Sequence, residues 1–363
     1  MAVTSFGVND PLTVKLWSKR LSIEVLKNTW ATKFMGKSSN AIIHVKDELN
    51  KGAGDKITYG LRMQLSGNGV LGDGTLEGNE EALATYSDSV LINQLRHAVR
   101  SGGRMSQQRV PFNIRDEALS GLRDWWADRL DYSFFNQISG NTVQTDVRWT
   151  GNQATIYNSS GNYLNTQGAG YSQDENLTST MTFALSLLDR AIEKARTLGT
   201  SGTGSGAAIR PTRVDGKSYY PVFLHPYQVT DMRTTTATGQ WLDIQKAAMT
   251  GGEVEDNPIF DGALGVYNGC ILHSDVRVPQ GVNSSANTTT VTSTRRAVFC
   301  GAQSVMLAFG KENGVDRYTW VEELFDYGNS LGVEAGMIYG MKKTVFNSFD
   351  YATVVLSSYA ASH

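Results

Sequence analysis

The chain has 363 residues, of which 40% are hydrophobic and 19% charged, and its formal net charge is −2. This composition indicates a folded protein of two or three packing units and excludes a polycation built to wrap nucleic acid. The chain contains no run of 18 apolar residues, and its start lacks a charged segment followed by an apolar one. We therefore expect neither a membrane span nor a signal peptide.

The first 55 residues show little hydrophobic pattern except between Val14 and Phe34, where apolar residues could line a short helix. Residues 1–56 contain nine Lys or Arg against five Asp or Glu. We interpret residues 1–55 as an extended basic arm that lies on another surface.

Residues 56–110 have the pattern of a long hairpin. An alternating strand at 56–65 is followed by a glycine-dense stretch, SGNGVLGDGTLEGNEE, and a second arm at 82–99. The glycines at 67, 69 and 72 match the G-x-G-x-x-G fingerprint of dinucleotide binding. That fingerprint needs a helix at its third glycine, whereas further glycines, Asp73 and Glu77 follow here. We interpret the stretch as a flexible loop tip.

A long amphipathic helix is predicted for residues 113–139, with Asn113 as its N-cap and Ser139-Gly140-Asn141 as its stop. At 1.5 Å per residue its length would be roughly 35–40 Å. Because adjacent helical residues point about 100° apart, we expect one of the two neighbouring tryptophans to pack under a sheet and the other at a second interface. The residues predicted to pack this spine helix are Leu122, Trp125, Trp126, Leu130 and Phe134.

The rest of the chain mixes helices and strands. Residues 141–177 are polar and predict a surface loop or small insertion, and residues 179–198 predict a second amphipathic helix. Strands and turns dominate from residue 218 onward, with closing strands at 318–325, 333–346 and 351–359. Helices and strands do not alternate strictly, so the predicted class is α+β.

No residue pattern indicates catalysis, a cofactor or a metal site. The five histidines are scattered, and the chain contains no G-x-S-x-G elbow, P-loop or EF-hand loop. Asp124 and Asp128 stand beside arginines, which favours a solvated helix face or salt bridges. The acidic residues at 322, 323 and 326 favour an ionic contact surface over a metal site, and we expect Cys270 and Cys300 to be small buried thiols. We therefore predict that the protein is not an enzyme.

The order of these parts resembles the major capsid protein of tailed bacteriophages, which has the Hong Kong 97 type of fold. More narrowly, the sequence resembles the family typified by the major capsid protein of phage N4. The stretches that carry the resemblance are KFMGKSSNAIIHVKDELNKGAGDKITYGLRMQLSGNGVLGDGTLEGNEEAL, INQLRHAVRSGGRMSQQR, DWWADRLDYSFFNQISG, LHPYQVTDMRTTTATGQWLDIQKAAM, NPIFDGALGVYNG and WVEELFDYGNSLGVEAGMIYGMKKTVFNS.

The resemblance implies a division of the chain into the parts of that fold. These parts are an N-terminal arm (1–55), an extended hairpin loop (56–110), a peripheral domain with the spine helix (111–209), a mainly axial domain (210–330) and C-terminal strands returning to both sheets (331–363).

The resemblance also implies a function. Pentamers and hexamers of the chain would form an icosahedral head around double-stranded DNA, assembled in the cytoplasm of a host bacterium and retained in the virion. The implied partners are further copies of the chain, a separate scaffolding protein, a portal, a decoration protein where one is present, and DNA through weak, sequence-independent contacts.

The hairpin gives a physical reason for self-assembly, since a long isolated hairpin is only marginally stable and needs a partner surface. The charges predicted to lie between subunits are Arg62, Glu77, Glu80, Glu81, Arg96, Arg100 and Arg104. Two alternatives stay open. One is an encapsulin-like compartment that carries protein cargo, and the other is a β-rich secreted binding protein, which should have a signal peptide.

Overall fold

The computed structural model describes residues 11–48, 54–62, 65, 67, 69–111, 113–157, 163–165, 173–198, 208–214, 216–234, 263–285, 287–310 and 317–362. Its helices are α1 (Pro11–Asn28), α2 (Arg104–Arg109), α3 (Ile114–Ser139), α4 (Val147–Thr150), α5 (Leu185–Thr197) and α6 (Pro226–Thr234), with 3-10 turns at Trp30–Phe34 and Asp174–Asn176. Within these residues, no helix is both long and apolar enough to cross a bilayer.

The strands belong to two large sheets and two small ribbons. Their bounds are β1 (Met35–Gly36), β2 (Ile43–Lys46), β3 (Lys56–Arg62), β4 (Thr85–Leu91), β5 (Asn93–Arg100), β6 (Tyr163–Asn165), β7 (Thr212–Val214), β8 (Lys217–Leu224), β9 (Ala263–Tyr267), β10 (Cys270–Ser274), β11 (Gln280–Val282), β12 (Thr290–Cys300), β13 (Val305–Phe309), β14 (Thr319–Phe325), β15 (Ser330–Lys343), β16 (Val345–Phe346), β17 (Phe349–Asp350) and β18 (Thr353–Tyr359).

The spine sheet has the order β1-β2-β13-β15-β14, and β5 also pairs with β15. The second sheet has the order β6-β18-β12-β8-β10-β9, with β11 on β12 and β7 on β8. Strand β15, 14 residues long, is the centre of the spine sheet because β5, β13 and β14 all pair with it in antiparallel register. The mixture of helices with two sheets agrees with the predicted α+β class.

Helix α3 confirms the predicted spine helix and its caps. Asn113 accepts a hydrogen bond from the backbone N–H of Arg115 at 3.0 Å, and Gly140 ends the helix in the left-handed conformation with φ 67°. Four of the five predicted packing residues are fully buried, namely Leu122, Trp126, Leu130 and Phe134. The apolar face of this helix therefore contributes directly to the core.

The two adjacent tryptophans face different neighbours, as their positions on the helix require. Trp126 is 0% exposed and packs edge to face against Tyr318 and Tyr339 of the spine sheet region. Trp125 is half-buried, and its ring stacks on that of His97 in β5 with 4.4 Å between centroids. The guanidinium of Arg129 lies 4.2 Å from the centroid of the Trp125 ring.

The N-terminal segment is not an extended arm between residues 17 and 46, so that prediction is wrong there. Leu21 and Val25 are fully buried in the core that contains α3, and Trp17 stacks on Trp320 at 5.6 Å. Strand β2 then pairs in parallel with β13. The apolar spacing between residues 14 and 34 is sufficient to bury this helix on its own chain. Residues 1–10 of the predicted arm lie outside the described residues.

The hairpin is shorter than predicted. Strands β3 and β4 pair from Lys56↔Leu91 to Arg62↔Thr85, whereas β5 leaves the hairpin and pairs along β15. The predicted second arm is therefore two strands with different partners, divided at Ile92. The physical reason is that the long strand β15 satisfies the backbone hydrogen bonds along one edge of β5, whereas an extended β3–β4 ribbon would leave that edge exposed.

Three further boundaries differ from the predictions. Helix α5 begins at Leu185 and not at residue 179, because the preceding segment is extended and Thr182 bridges Tyr359. The polar segment 141–177 is not only a surface loop, since β6 pairs with β18 and Asp174 is fully buried. Within the predicted axial segment 210–330, strands β7 to β12 belong to the second sheet, whereas β13 and β14 belong to the spine sheet.

A buried ion pair connects the end of the spine helix to the second sheet. The Nε of Arg296 in β12 donates to Asp174 Oδ2 at 2.6 Å, and both side chains are 0% exposed. The Nη1 of Arg296 donates to the carbonyl oxygens of Ser139 and Gly140, both at 3.1 Å. A cation at this helix end also matches the negative pole of the helix dipole.

Candidate assembly surface

The base of the hairpin is fixed to its own molecule. Ile57, Tyr59 and Val90 are buried in the core of the second sheet, and the Tyr59 ring packs edge to face on Phe346 at 5.9 Å. Burial and, after it, the charge of Asp88 raise the pKa of Tyr59 well above its ordinary value. The Tyr59 hydroxyl is therefore a permanent hydrogen-bond donor at this base.

Asp88 of β4 is the polar centre of the base. Its carboxylate accepts from the Tyr59 hydroxyl at 2.8 Å and from the backbone N–H of Val345 at 3.1 Å. It also forms an ion pair with the ammonium group of Lys342 in β15. The side chains of Asp88 and Lys342 are only 10% and 15% exposed. These contacts fix the direction in which the hairpin leaves the body of the molecule.

The hairpin tip, which we define as residues 69–84, is exposed and carries apolar side chains. Leu71 and Leu76 are 91% and 60% exposed, and Leu83 is 54% exposed. Exposed leucines are ordinary when scattered, but here several occur on one short loop that projects from the molecule. The prediction from sequence concentrated on charge and missed these leucines, although their spacing in GVLGDGTLEG was visible.

The tip is also acidic. The chain has no Lys or Arg between Arg62 and Arg96, whereas Asp73, Glu77, Glu80 and Glu81 all lie in the tip. Glu80 and Glu81 accept hydrogen bonds from the backbone N–H groups of Gly78 (2.7 Å) and Gly67 (2.6 Å). Within the described residues, Asp73 and Glu77 have no hydrogen-bonding or ion-pair partner. The tip therefore offers carboxylates to a second surface.

The structure divides the seven predicted intersubunit charges into two groups. Arg62, Glu77, Glu80 and Glu81 lie on the hairpin and are exposed, whereas the three other arginines lie beside the spine sheet. Arg96 and Arg100 are exposed residues of β5, and Arg104 begins α2. These seven side chains consequently do not form one continuous surface on the hairpin, and their intersubunit role stays a prediction.

The arginines beside the spine sheet make contacts within their own chain. The Nε of Arg100 donates to Ser330 Oγ at 3.0 Å, and its guanidinium lies 4.3 Å from the centroid of the Phe325 ring. The backbone N–H of Arg104 donates to Asn329 Oδ1 at 3.2 Å. Burial raises the pKa of Glu334 on the neighbouring strand, and the charge of Arg96 acts against that rise.

The acidic clusters singled out in the sequence form ion pairs. Asp128 contacts Arg277 at 2.9 Å, and Glu322 contacts Arg115 at 2.6 Å. Both cysteines are buried, and neither forms a disulfide. Among the described residues, no group of three or more His, Cys, Asp or Glu side chains is arranged to hold a metal ion. The exposed hairpin tip on its fixed base is thus the feature that needs a functional explanation.

A family model described as phage capsid protein matches residues 5–362. The chain belongs to the phage capsid protein family. The capsid of Ralstonia phage GP4 is similar to this chain, with 32% identity, a TM-score of 0.80 and coverage of 99% of each chain. The major capsid protein of Pseudomonas phage KPP25 is 27% identical over 377 residues, which cover 94% of this chain and 91% of that protein.

The fold is also that of more distant capsids. The cyanophage Pam1 capsid matches with a TM-score of 0.70 at 21% identity, covering 93% of this chain and 94% of that one. The predicted Hong Kong 97 type of capsid fold and the predicted function as a structural phage capsid protein are confirmed. The relatives are phage capsids, which decides against the encapsulin-like and secreted alternatives. The narrower resemblance to the phage N4 protein stays a prediction.

Proposed function

We propose that this capsid protein assembles into pentamers and hexamers of an icosahedral phage head around double-stranded DNA, and that it has no catalytic role. The observation that carries the proposal is the hairpin, whose base is buried in the molecule while its tip projects with exposed leucines and carboxylates. Such a tip gains free energy only by covering its apolar side chains on another surface.

The domain roles follow the two sheets. The spine sheet with α3 would form the peripheral domain, and the second sheet with α5 and α6 would form the axial domain around the symmetry axes. Arg296 of the second sheet joins the two by donating to the carbonyls of Ser139 and Gly140 at the end of α3, so the subunit can act as a stiff unit while the tip adapts to pentamers and hexamers. The seven predicted charges would adjust these contacts between subunits, each contributing about 0–1 kcal/mol.

Assembly in the bacterial cytoplasm would involve a separate scaffolding protein, a portal and, where one exists, a decoration protein. The packaged DNA would meet a nearly neutral chain of net charge −2, so we expect weak contacts that decrease as salt rises.

Deletion of Ser66–Gly78 tests the proposal. The expected result is a folded subunit that forms no stable shells by electron microscopy, because Leu71, Leu76 and the carboxylates of Asp73 and Glu77 are removed while the base stays intact. The control is Leu71→Ser, which removes one apolar side chain and should lower the shell yield less. Normal particles from the deletion would contradict the proposal. DNA protected from nuclease inside wild-type particles, rather than protein cargo, would support the genome-enclosing role.

A further inference from the structure

A second feature of the molecule complements the hairpin tip. A cavity of about 530 Å³ lies where the C-terminal half of α3 meets the second sheet. Its lining includes Tyr132 and Trp149 on one side and His225, Arg277 and Arg295 on the other. The charged residues of the lining are cationic, and no carboxylate is among the lining residues.

Arg277 is already neutralised by its neighbours. Its guanidinium lies within 4 Å of the carboxylates of Asp128 (2.9 Å), Asp275 (3.3 Å) and Asp131 (3.6 Å). The three carboxylates outnumber the one guanidinium, so Arg277 contributes hydrogen-bond donors to the cavity but no net positive charge.

Arg295 is different, because no carboxylate of the described residues lies within 4 Å of it although the residue is only 9% exposed. Its Nη1 donates to two backbone carbonyls, of Thr292 and Thr294, both at 3.0 Å. Burial lowers the pKa of Arg295, as expected for a cation that lacks a counterion. A buried guanidinium that lines an open cavity and has no carboxylate beside it among the described residues is suited to an incoming carboxylate.

His225 adds a neutral donor beside Arg295. Its Nδ1 accepts from the backbone N–H of Tyr227 at 3.2 Å, which assigns the ring proton to Nε2. Burial and, after it, the charge of Arg295 lower the pKa of His225 to about 4. The lining also has two exposed apolar residues, Val276 (70% exposed) and Tyr132 (37% exposed), which we call the apolar mouth of the cavity.

We propose that this cavity receives the hairpin tip of a second copy, with the Glu77 carboxylate directed at Arg295 and the neighbouring leucines covering the apolar mouth. The two surfaces match in both respects, because the tip carries Leu76 beside Glu77 and the cavity carries Val276 outside Arg295. Glu77 has no hydrogen-bond or ion-pair partner within the described part of its own chain. The proposal deepens the function proposed above and rests on it.

Disulfide trapping tests the docking directly, since Cys270 and Cys300 are 0% exposed and should not react. One batch of subunits carries Thr75→Cys, an exposed tip position that leaves Glu77 in place, and another carries Val276→Cys, so that a cross-link can form only between copies. The two batches are assembled together and oxidised with glutathione disulfide. We expect covalent dimers on non-reducing gels, because docking brings the two Cα atoms within the roughly 4.4–6.8 Å that a disulfide requires.

The matched control replaces Val276→Cys by Val321→Cys, which is 44% exposed on β14 of the spine sheet and is not among the residues that line the cavity. Dimers that form equally with the control, or intact shells without dimers from the test pair, would overturn the docking while leaving shell formation standing. Failure of the wild-type chain to form shells would instead contradict the proposed function.

A measurement on unmodified protein keeps the proposal testable if the cysteine variants do not assemble. Hydrogen exchange followed by mass spectrometry compares wild-type subunits with wild-type shells. Backbone amides in the tip and in residues 276–280, which line one side of the cavity, should both become protected in shells. Protection of only one of the two segments would also overturn the docking.

Discussion

Replacing Asp88 by alanine should release the hairpin from the molecule. The substitution leaves the Lys342 ammonium group, 15% exposed, without its ion-pair partner, and it removes the acceptor for the Tyr59 hydroxyl and the Val345 N–H. Removing one member of a buried ion pair costs about 3–5 kcal/mol, and partial solvent access at this site reduces that to about 2–3. The two lost hydrogen bonds add about 1 kcal/mol each.

The total expected loss is therefore about 4–5 kcal/mol in the free energy of unfolding. Urea denaturation of the isolated subunit, followed by tryptophan fluorescence, measures it. Limited proteolysis should show faster cleavage near the tip, and the yield of shells should decrease because the hairpin no longer leaves the body in one direction. Asp73→Ala is the control, since this tip carboxylate has no partner among the residues that the structure describes and should leave the free energy of unfolding unchanged. A change below about 1 kcal/mol for Asp88→Ala would refute the argument that the base is clamped.

Three further predictions concern the isolated subunit. Arg296→Met should lower the free energy of unfolding by about 3–5 kcal/mol, because Asp174 is left buried without its ion-pair partner. The same change at the exposed Arg148 should cost much less, and equal costs in denaturation would contradict this. His225 has a folded-state pKa of about 4 against an ordinary 6.5, so the unfolded state binds more protons and the free energy of unfolding should fall by up to about 3 kcal/mol as the pH drops from 6.5 to 4. In denaturation at several pH values, His225→Gln should remove this part of the pH dependence, and an unchanged dependence would refute the assignment. Trp126→Ala should cost about 3–5 kcal/mol and Trp125→Ala less, since only Trp126 is fully buried; a larger cost for Trp125 in the same assay would reverse the packing assignment.

Local patterns predicted the spine helix because each of its signals lies within the segment itself. Asn113, the apolar spacing and Gly140 are sufficient to place a helix whose caps the structure reproduces to one residue. The exposed glycine-rich tip was predictable for the same reason. The helix within residues 14–34 was also visible, but its partner was not, because the spine that buries it follows about 100 residues later, where Asp131 accepts from the Trp30 and Ala31 N–H groups.

The wrong boundaries have a common cause, which is competition between distant partners. Residues 82–99 have one continuous strand-like pattern, and nothing local marks Ile92 as the point where pairing changes from β3 to β15. The register of β5 depends on a strand more than 200 residues away, Val333↔Val99 for example. Asp174 and Arg296, 122 residues apart, are likewise unremarkable in sequence until the fold brings them together. The cavity around Arg295 depends on the same juxtaposition and was not predicted.

The magnitudes also indicate how the tip could bind. Each exposed charge on the tip contributes at most about 1 kcal/mol, whereas burying a leucine side chain contributes about 1.5–3 kcal/mol. Leu71, Leu76 and Leu83 together therefore outweigh the four carboxylates as a source of affinity. A carboxylate that meets a buried, unpaired guanidinium is the exception, because a wrong partner would leave that guanidinium desolvated and without a counterion. In this division the leucines would supply the free energy of association, and Glu77 with Arg295 would determine which surface the tip selects.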